Sequence, residues 1–295
     1  MLRPFALCEP ASVAEASSLL ADYGEAAKLY AGGTELLLAM KEGLLHYEAL
    51  VNIKPIPGLV GIQLEAGSDL LRIGAATPHR AIERDPRVRE CFPTLARMEA
   101  DVANVRVREV GTLGGNLCFA EPHADPGTLL QVYDARVTLD RAGGSRTVPV
   151  EQLFAGPYET CLEGDEILTE ILVPPLPSRT AAAYLKFGFL ERPSVGVAVA
   201  VTLQADRQVV EAARIAVGCV GPVPRRMREA EALLAGTAVA EVGQRLDEAC
   251  QAAARASDAV TDLHGSAEYK AHMVGVLIRR AVYEALARIQ DGGGR

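Results

Sequence analysis

The sequence predicts an α+β protein in two parts, and three observations carry the prediction. From the N-terminus a helix pattern, a short apolar strand, a glycine pair and a second helix follow in turn, so the first part mixes strands with helices in α/β fashion. At Pro174-Pro175-Leu176-Pro177, prolines exclude both helix and central strand and mark a boundary between a first domain, residues 1–175, and a second, residues 178–290. Beyond the prolines, three Val- and Ala-rich runs precede three helical patterns. Strands and helices are therefore segregated there, as an antiparallel sheet packed with helices.

Each element has a local reason. Ser12 and Glu15 form a capping box before the periodic run Val13–Tyr23, and Gly24 stops that helix. A strand over Ala27–Ala31 runs into Gly32-Gly33-Thr34, and helical character resumes over Glu35–Glu42. Leu50–Ile53 is a strand broken by Pro55 and Pro57. Leu59–Leu64 and Leu70–Gly74 flank Ala66-Gly67-Ser68-Asp69 as a hairpin. Helices are predicted over His79–Arg84, Pro93–Ala103 and Thr128–Asp134, with Gly111–Gly127 between the last two as a long glycine-punctuated loop. Ala135–Leu139 and Glu166–Val173 are strands. The second domain reads as a meander of Ala181–Gly188, Ser194–Gln204 and Val209–Val220, then helices over Arg225–Leu234, Val239–Ala256 and Ala267–Ile289, with Gly292–Arg295 fraying.

Composition excludes several classes. Of 295 residues, 49% are hydrophobic and 23% charged, which is globular rather than disordered. With no Trp and few Phe or Tyr, the core must be aliphatic. The net charge of −8 and the absence of a basic stripe argue against nucleic acid. The longest apolar run, near Val195–Val201, is far short of a membrane-spanning helix, and the first residues lack the apolar stretch of a signal peptide. Cysteines at 8, 91, 118, 161, 219 and 250 form no Cys-x-x-Cys pair, so neither a disulfide framework nor a metal or iron–sulfur site is expected in this chain. A reduced, cytoplasmic protein is the expectation.

Two segments carry chemistry. In Leu29-Tyr30-Ala31-Gly32-Gly33-Thr34-Glu35-Leu36, consecutive glycines between strand and helix leave N–H groups facing open space at a helix start, and Thr34 adds a hydroxyl. In Gly111-Thr112-Leu113-Gly114-Gly115-Asn116-Leu117 the same small residues recur with a hydroxyl and an amide. Each segment is read either as a plain turn or as a phosphate-binding loop, and two such loops would suit a pyrophosphate. Neither fits the Gly-Lys-Ser/Thr loop of nucleotide hydrolases or the Gly-x-Gly-x-x-Gly of NAD enzymes. No catalytic nucleophile or acid–base dyad stands out.

Both segments at this spacing resemble the FAD-binding medium subunit of the molybdenum hydroxylases, the family of carbon monoxide dehydrogenase, 4-hydroxybenzoyl-CoA reductase, quinoline oxidoreductase and the xanthine dehydrogenases. The resemblance covers nearly the whole chain: AGGTELL, RVREVGTLGGNL, AEPHADP, EILTEILVP, YLKF, GCVGPVPRRMREAEALLAG and GSAEYKAHMV all take part. It implies an FAD-binding domain of the vanillyl-alcohol-oxidase type in two subdomains, split near residue 55, and a C-terminal domain of medium-subunit type. By position it implies cofactor contacts at Leu29 to Leu36, with Gly32, Gly33 and Thr34 nearest the phosphates, and at Thr112, Gly114, Gly115 and Asn116. It further implies Asp125 near the ribose and ribityl region, Leu168 against the flavin ring, Lys186 at its polar edge, and Val102 near the cofactor. Asp125 could instead cap the next helix, and Leu168 could be core.

The resemblance also implies partners: a large molybdenum subunit with a molybdopterin-type cofactor and a small iron–sulfur subunit, arranged as a dimer of heterotrimers. Three departures stand out. His123 occupies a position where a small hydroxyl residue is common and reads as loop surface. Ser194-Val195 replaces a tyrosine that shields the flavin in some relatives, and no cysteine-rich insertion is present. The function so implied is electron transfer from iron–sulfur clusters through FAD to an external acceptor. A stand-alone FAD oxidoreductase and a non-redox nucleotide-binding module remain as alternatives.

Overall fold

The computed structural model describes residues 2–188 and 191–291; the Gly292–Arg295 tail, expected to fray, lies outside them. The chain forms two compact units. The first comprises Met1–Ala120 and Arg136–Val173, the second Glu121–Ala135 and Pro174–Arg295.

In the first unit, β1 (Ala6–Cys8) leads through α1 (Val13–Tyr23) to β2 (Ala27–Tyr30), then through α2 (Leu36–Lys41) to β3 (Ala49–Asn52). These strands make a parallel sheet in the order β1-β3-β2. The central strand β3 is buried throughout, which is why ALVN has no polar alternation until its last residue. The capping box forms with one change: Ser12 Oγ accepts from Glu15 N, while Glu15 Oε2 accepts from Ala11 N, one residue before the cap, at 2.7 Å. Ala16 and Leu20 of α1 pack with Ala27, Ala49 and Val51 in one aliphatic cluster.

The chain then forms β4 (Ile62–Leu64) and β5 (Leu71–Gly74), the expected hairpin. Helices α3 (His79–Arg84), α4 (Pro86–Cys91), α5 (Pro93–Asp101), α6 (Val105–Val110) and α7 (Leu113–Phe119) follow. Strands β6 (Arg136–Arg141), β7 (Gly144–Pro149), the short β8 (Phe154–Gly156) and β9 (Glu159–Thr160), and β10 (Ile167–Val173) complete the unit. Five of these strands form a sheet in the order β4-β5-β10-β6-β7, all pairs antiparallel.

Within Gly111–Gly127, read as a long loop, Leu113–Phe119 is instead the helix α7, and α6 precedes it. Asn104 caps α6 by accepting from Arg106 N and Val107 N, and Thr112 caps α7 by accepting from Gly115 N. Its glycines hid the helix because their low propensity masks periodicity; caps and tertiary packing override that preference.

In the second unit, α8 (Pro126–Val132) is buried along its whole length. Strands β11 (Thr180–Phe187), β12 (Val195–Leu203), β13 (Val210–Gly218) and β14 (Arg225–Arg226) form an antiparallel sheet in sequence order. Helices α9 (Arg228–Leu234), α10 (Val242–Ala256) and α11 (Ala267–Gln290) follow. Alternate residues Val195, Val197, Val199 and Val201 pack with Leu246, Val274, Ile278 and Val282 in an aliphatic core, so a Trp-free sequence still fills it. Among the described residues no helix is long and apolar enough to cross a membrane.

Candidate functional site

The two glycine segments meet in the first unit. The chain leaves β2 at Tyr30 and turns through Ala31–Thr34 into α2, with Gly33 at φ +72°, a backbone region that glycine enters without penalty. Gly32 lies so close to the second segment that a Cβ there would overlap Val110 O and sit 2.7 Å from Gly111 Cα and 3.1 Å from Thr112 N. From the other side, Thr34 Oγ1 is 3.5 Å from where a Gly111 Cβ would stand. Ring atoms of Tyr30 occupy the space a Gly33 side chain would need.

The segments use their amides differently. In the second, Leu113 N donates to Thr77 O at 3.1 Å, Gly114 N to Ala75 O at 2.9 Å, Gly115 N to Thr112 Oγ1 at 3.2 Å and Asn116 N to Thr112 O at 2.9 Å. The first turn of α7 is thus satisfied internally. In the first, the amides of Gly32, Gly33 and Thr34 donate to no acceptor among the described residues. The second segment therefore buttresses the first, which presents open donors. It also offers one unmet acceptor: Asn116 Oδ1 is buried without a partner among the described residues.

Behind the junction lies a pair that sequence reasoning missed. His79 N donates to Gly111 O at 3.0 Å, and His79 Nδ1 is 2.6 Å from Glu99 Oε2, with both side chains buried. The two lie 20 residues apart in sequence, on α3 and α5, and no local pattern signals the pair. Val102 ends α5 and is buried. Leu168 lies at 2% exposure beside an irregularity in β10, where Thr169 O accepts from Ala75 N at 2.9 Å. Since Ala75 O accepts from Gly114 N, one hydrogen-bonded run ties this strand to the second segment. Glu35 precedes α2 in helical conformation and makes no side-chain cap.

Asp125 and Lys186 belong to the second unit and pair with each other. Asp125, at 3% exposure, accepts from Tyr184 Oη at 2.6 Å and from Lys186 Nζ at 2.9 Å. Its carboxylate makes no cap bond to α8, which removes the simple capping reading. The anionic partner that a lysine in an apolar strand requires is thus Asp125.

His123 is not loop surface, as the sequence suggested. Its Nδ1 lies 3.1 Å from Glu121 Oε1 and its Nε2 3.0 Å from Asp262 Oδ2, while His264 packs against its ring. The fully buried Lys270 donates to the same Asp262 oxygen at 2.5 Å. Burial pushes the carboxyls of Glu121 and Asp262 up, but their hydrogen bonds to His123 and Lys270 respectively, with the nearby cations, prevail and hold both below the usual range. Asp262 lies 139 residues away in sequence, so only the fold reveals the enclosure. Val195 is buried at the start of β12. The Cys118 thiol is pushed up to about 12 by burial, and burial raises that of Cys219 well above its ordinary value, so both stay protonated.

The chain belongs to the family of FAD-binding subunits of molybdopterin dehydrogenases: residues 3–176 match the FAD-binding domain in molybdopterin dehydrogenase, and residues 193–285 the carbon monoxide dehydrogenase flavoprotein C-terminal domain. Among individual proteins, it is 36% identical to the carbon monoxide dehydrogenase medium chain of Hydrogenophaga pseudoflava over 95% of this chain and 96% of that one. It is 31% identical to a putative xanthine dehydrogenase FAD-binding subunit of Escherichia coli, over 94% of each. A solved structure of carbon monoxide dehydrogenase from Hydrogenophaga pseudoflava superposes with a TM-score of 0.93 over 98% of this chain and 99% of that one, at 36% identity. Quinoline 2-oxidoreductase from Pseudomonas putida gives 0.89 over 98% and 99%, at 27% identity. The chain is an FAD-binding oxidoreductase subunit of this family.

Proposed function

We propose that this chain holds FAD as the electron-transfer subunit of a cytoplasmic molybdenum hydroxylase. It works beside a large molybdenum subunit and a small iron–sulfur subunit, in a dimer of heterotrimers. The observation that carries the reading is the junction of the two glycine segments: the first holds three amides that donate to no acceptor among the described residues, and the second holds a buried, unmet Asn116 acceptor. Such a set fits an elongated ligand with both phosphate oxygens and hydroxyl or N–H donors.

Bound FAD would supply reversible electron uptake between the partner clusters and an external acceptor. The chain's residues do the rest. Gly32, Gly33 and Thr34 would donate to phosphate oxygens, and Thr112, Gly114 and Gly115 hold that turn in place. Leu29, Tyr30, Ala31, Glu35 and Leu36 form its walls; Asn116 would accept from the cofactor. Val102 and Leu168 supply apolar surroundings. In the second unit, Asp125 and Lys186 are proposed as further contacts, with Tyr184 orienting the carboxylate.

The test is co-purification from the native locus with flavin and metal analysis. Two companion proteins with flavin, molybdenum and iron are expected. A chain that emerges alone and turns over a substrate by itself would favour a stand-alone flavoenzyme, and a colourless chain that gains no flavin would favour a non-redox nucleotide module.

A further inference from the structure

The second glycine segment spends the amides of Leu113 to Asn116 within the first unit, so the open turn at Gly32–Thr34 would meet a doubly charged pyrophosphate with neutral donors alone, in a protein of net charge −8. A cation nearby would complete such a site. One stands at the same end of the parallel sheet. Lys54 Nζ lies over the Tyr30 ring, 4.1 Å from its centroid, and that ring packs against Gly33.

The placement is held by backbone. Ile53 N donates to Tyr30 O at 3.0 Å, prolonging the β2–β3 pairing past the strand end. Lys54 N donates to Asn52 Oδ1 at 3.3 Å, and Asn52 Nδ2 in turn donates to Glu9 Oε1 at 3.0 Å. Pro55 and Pro57 then restrict the chain that follows. Lys54 forms no ion pair among the described residues, and its side chain is held only by an aromatic face, an attraction of modest size at an exposed site.

We infer that Lys54 is a phosphate-binding residue of this site, its ammonium seated on Tyr30 and donating to the pyrophosphate of the dinucleotide that the Gly32–Thr34 turn receives. The inference rests on the FAD reading above. Lysine suits the role as a compact point charge on a flexible stem. Tyr30 acquires a part too, as the platform that keeps the ammonium beside the turn.

The experiment titrates FAD into the flavin-free full chain, wild type and Lys54→Met, at several ionic strengths. The Kd of the variant should rise about ten-fold, and its dependence on salt should flatten because one screened contact is gone. Lys54→Arg should recover most of the affinity, and the thermal midpoint of the flavin-free variants should match wild type because the side chain is exposed. Unchanged Kd and salt dependence in Lys54→Met, with tight wild-type binding, would overturn this inference alone. Failure of the wild type to bind FAD would overturn the functional reading and the inference with it. A loss of affinity that tracks a lowered thermal midpoint would reassign Lys54 to structure.

Discussion

Lys186→Met should destabilise the second unit by about 3 kcal/mol, at the low end of the cost of stripping one partner from a buried pair. Asp125 is 3% exposed, so without Lys186 its carboxylate keeps the Tyr184 hydrogen bond but loses the ammonium 2.9 Å away in a site largely shut off from water. The low end applies because the Lys186 side chain is 23% exposed and some solvent screens the pair. The assay is urea denaturation of the flavin-free full chain, with Asp125→Asn and the double variant beside it. The double variant should recover about 2 kcal/mol relative to the sum of the single changes, because it removes the stranded charge. A Lys186→Met chain within about 0.5 kcal/mol of wild type, the usual range for surface changes, would refute the buried-pair argument. So would strict additivity.

Four other outcomes follow from the same geometry. In the flavin-loaded protein, Lys186→Met should lower the two-electron midpoint potential and Asp125→Asn raise it, each ~30 mV corresponding to ~1.4 kcal/mol; potentiometry with no change in either would place the pair away from the flavin. Gly114→Ala should cost about 2 kcal/mol by overpacking, since its Cβ would stand 2.6 Å from Ala75 Cβ, whereas Gly115→Ala should cost about 1 kcal/mol through the Thr112 cap; equal costs in denaturation would contradict this. Gly33→Ala should lose about 1 kcal/mol to its positive φ and displace the Tyr30 ring, and FAD titration should show weaker binding than for Gly115→Ala. Glu166 is held below its ordinary value of 4.5 by its hydrogen bond to Arg146, which outweighs burial, so its contribution to stability is present above pH 4.5 and fades as pH falls through the lowered value. Glu166→Gln should flatten that acid limb in pH-dependent denaturation, and an unchanged limb would assign the loss to other carboxylates.

Local signals in the sequence located most elements. The Ser12 and Glu15 pair, the glycine at 24 and the alternating valines of β12 each announce their structure through near neighbours. The α7 helix was illegible because its start depends on Thr112 and on acceptors at Ala75 and Thr77, some forty residues back. The two glycine segments could be recognised as chemically alike. Their unequal roles could not, because only the fold shows which amides are already bonded. Likewise a lysine within the apolar run of β11 calls for an anion, but its pairing with Asp125 is fixed by tertiary placement. His79 with Glu99 and His123 with Asp262 left no trace at all, since a buried polar pair has no periodicity of its own.

The Gly32–Thr34 turn is the proposed seat of a dinucleotide flavin. The most direct measurement is flavin content and visible absorption of the purified full chain after incubation with FAD and removal of the excess. A yellow protein carrying about one FAD per chain is expected, with retention falling in Gly33→Ala. A folded chain that remains colourless after incubation would contradict it.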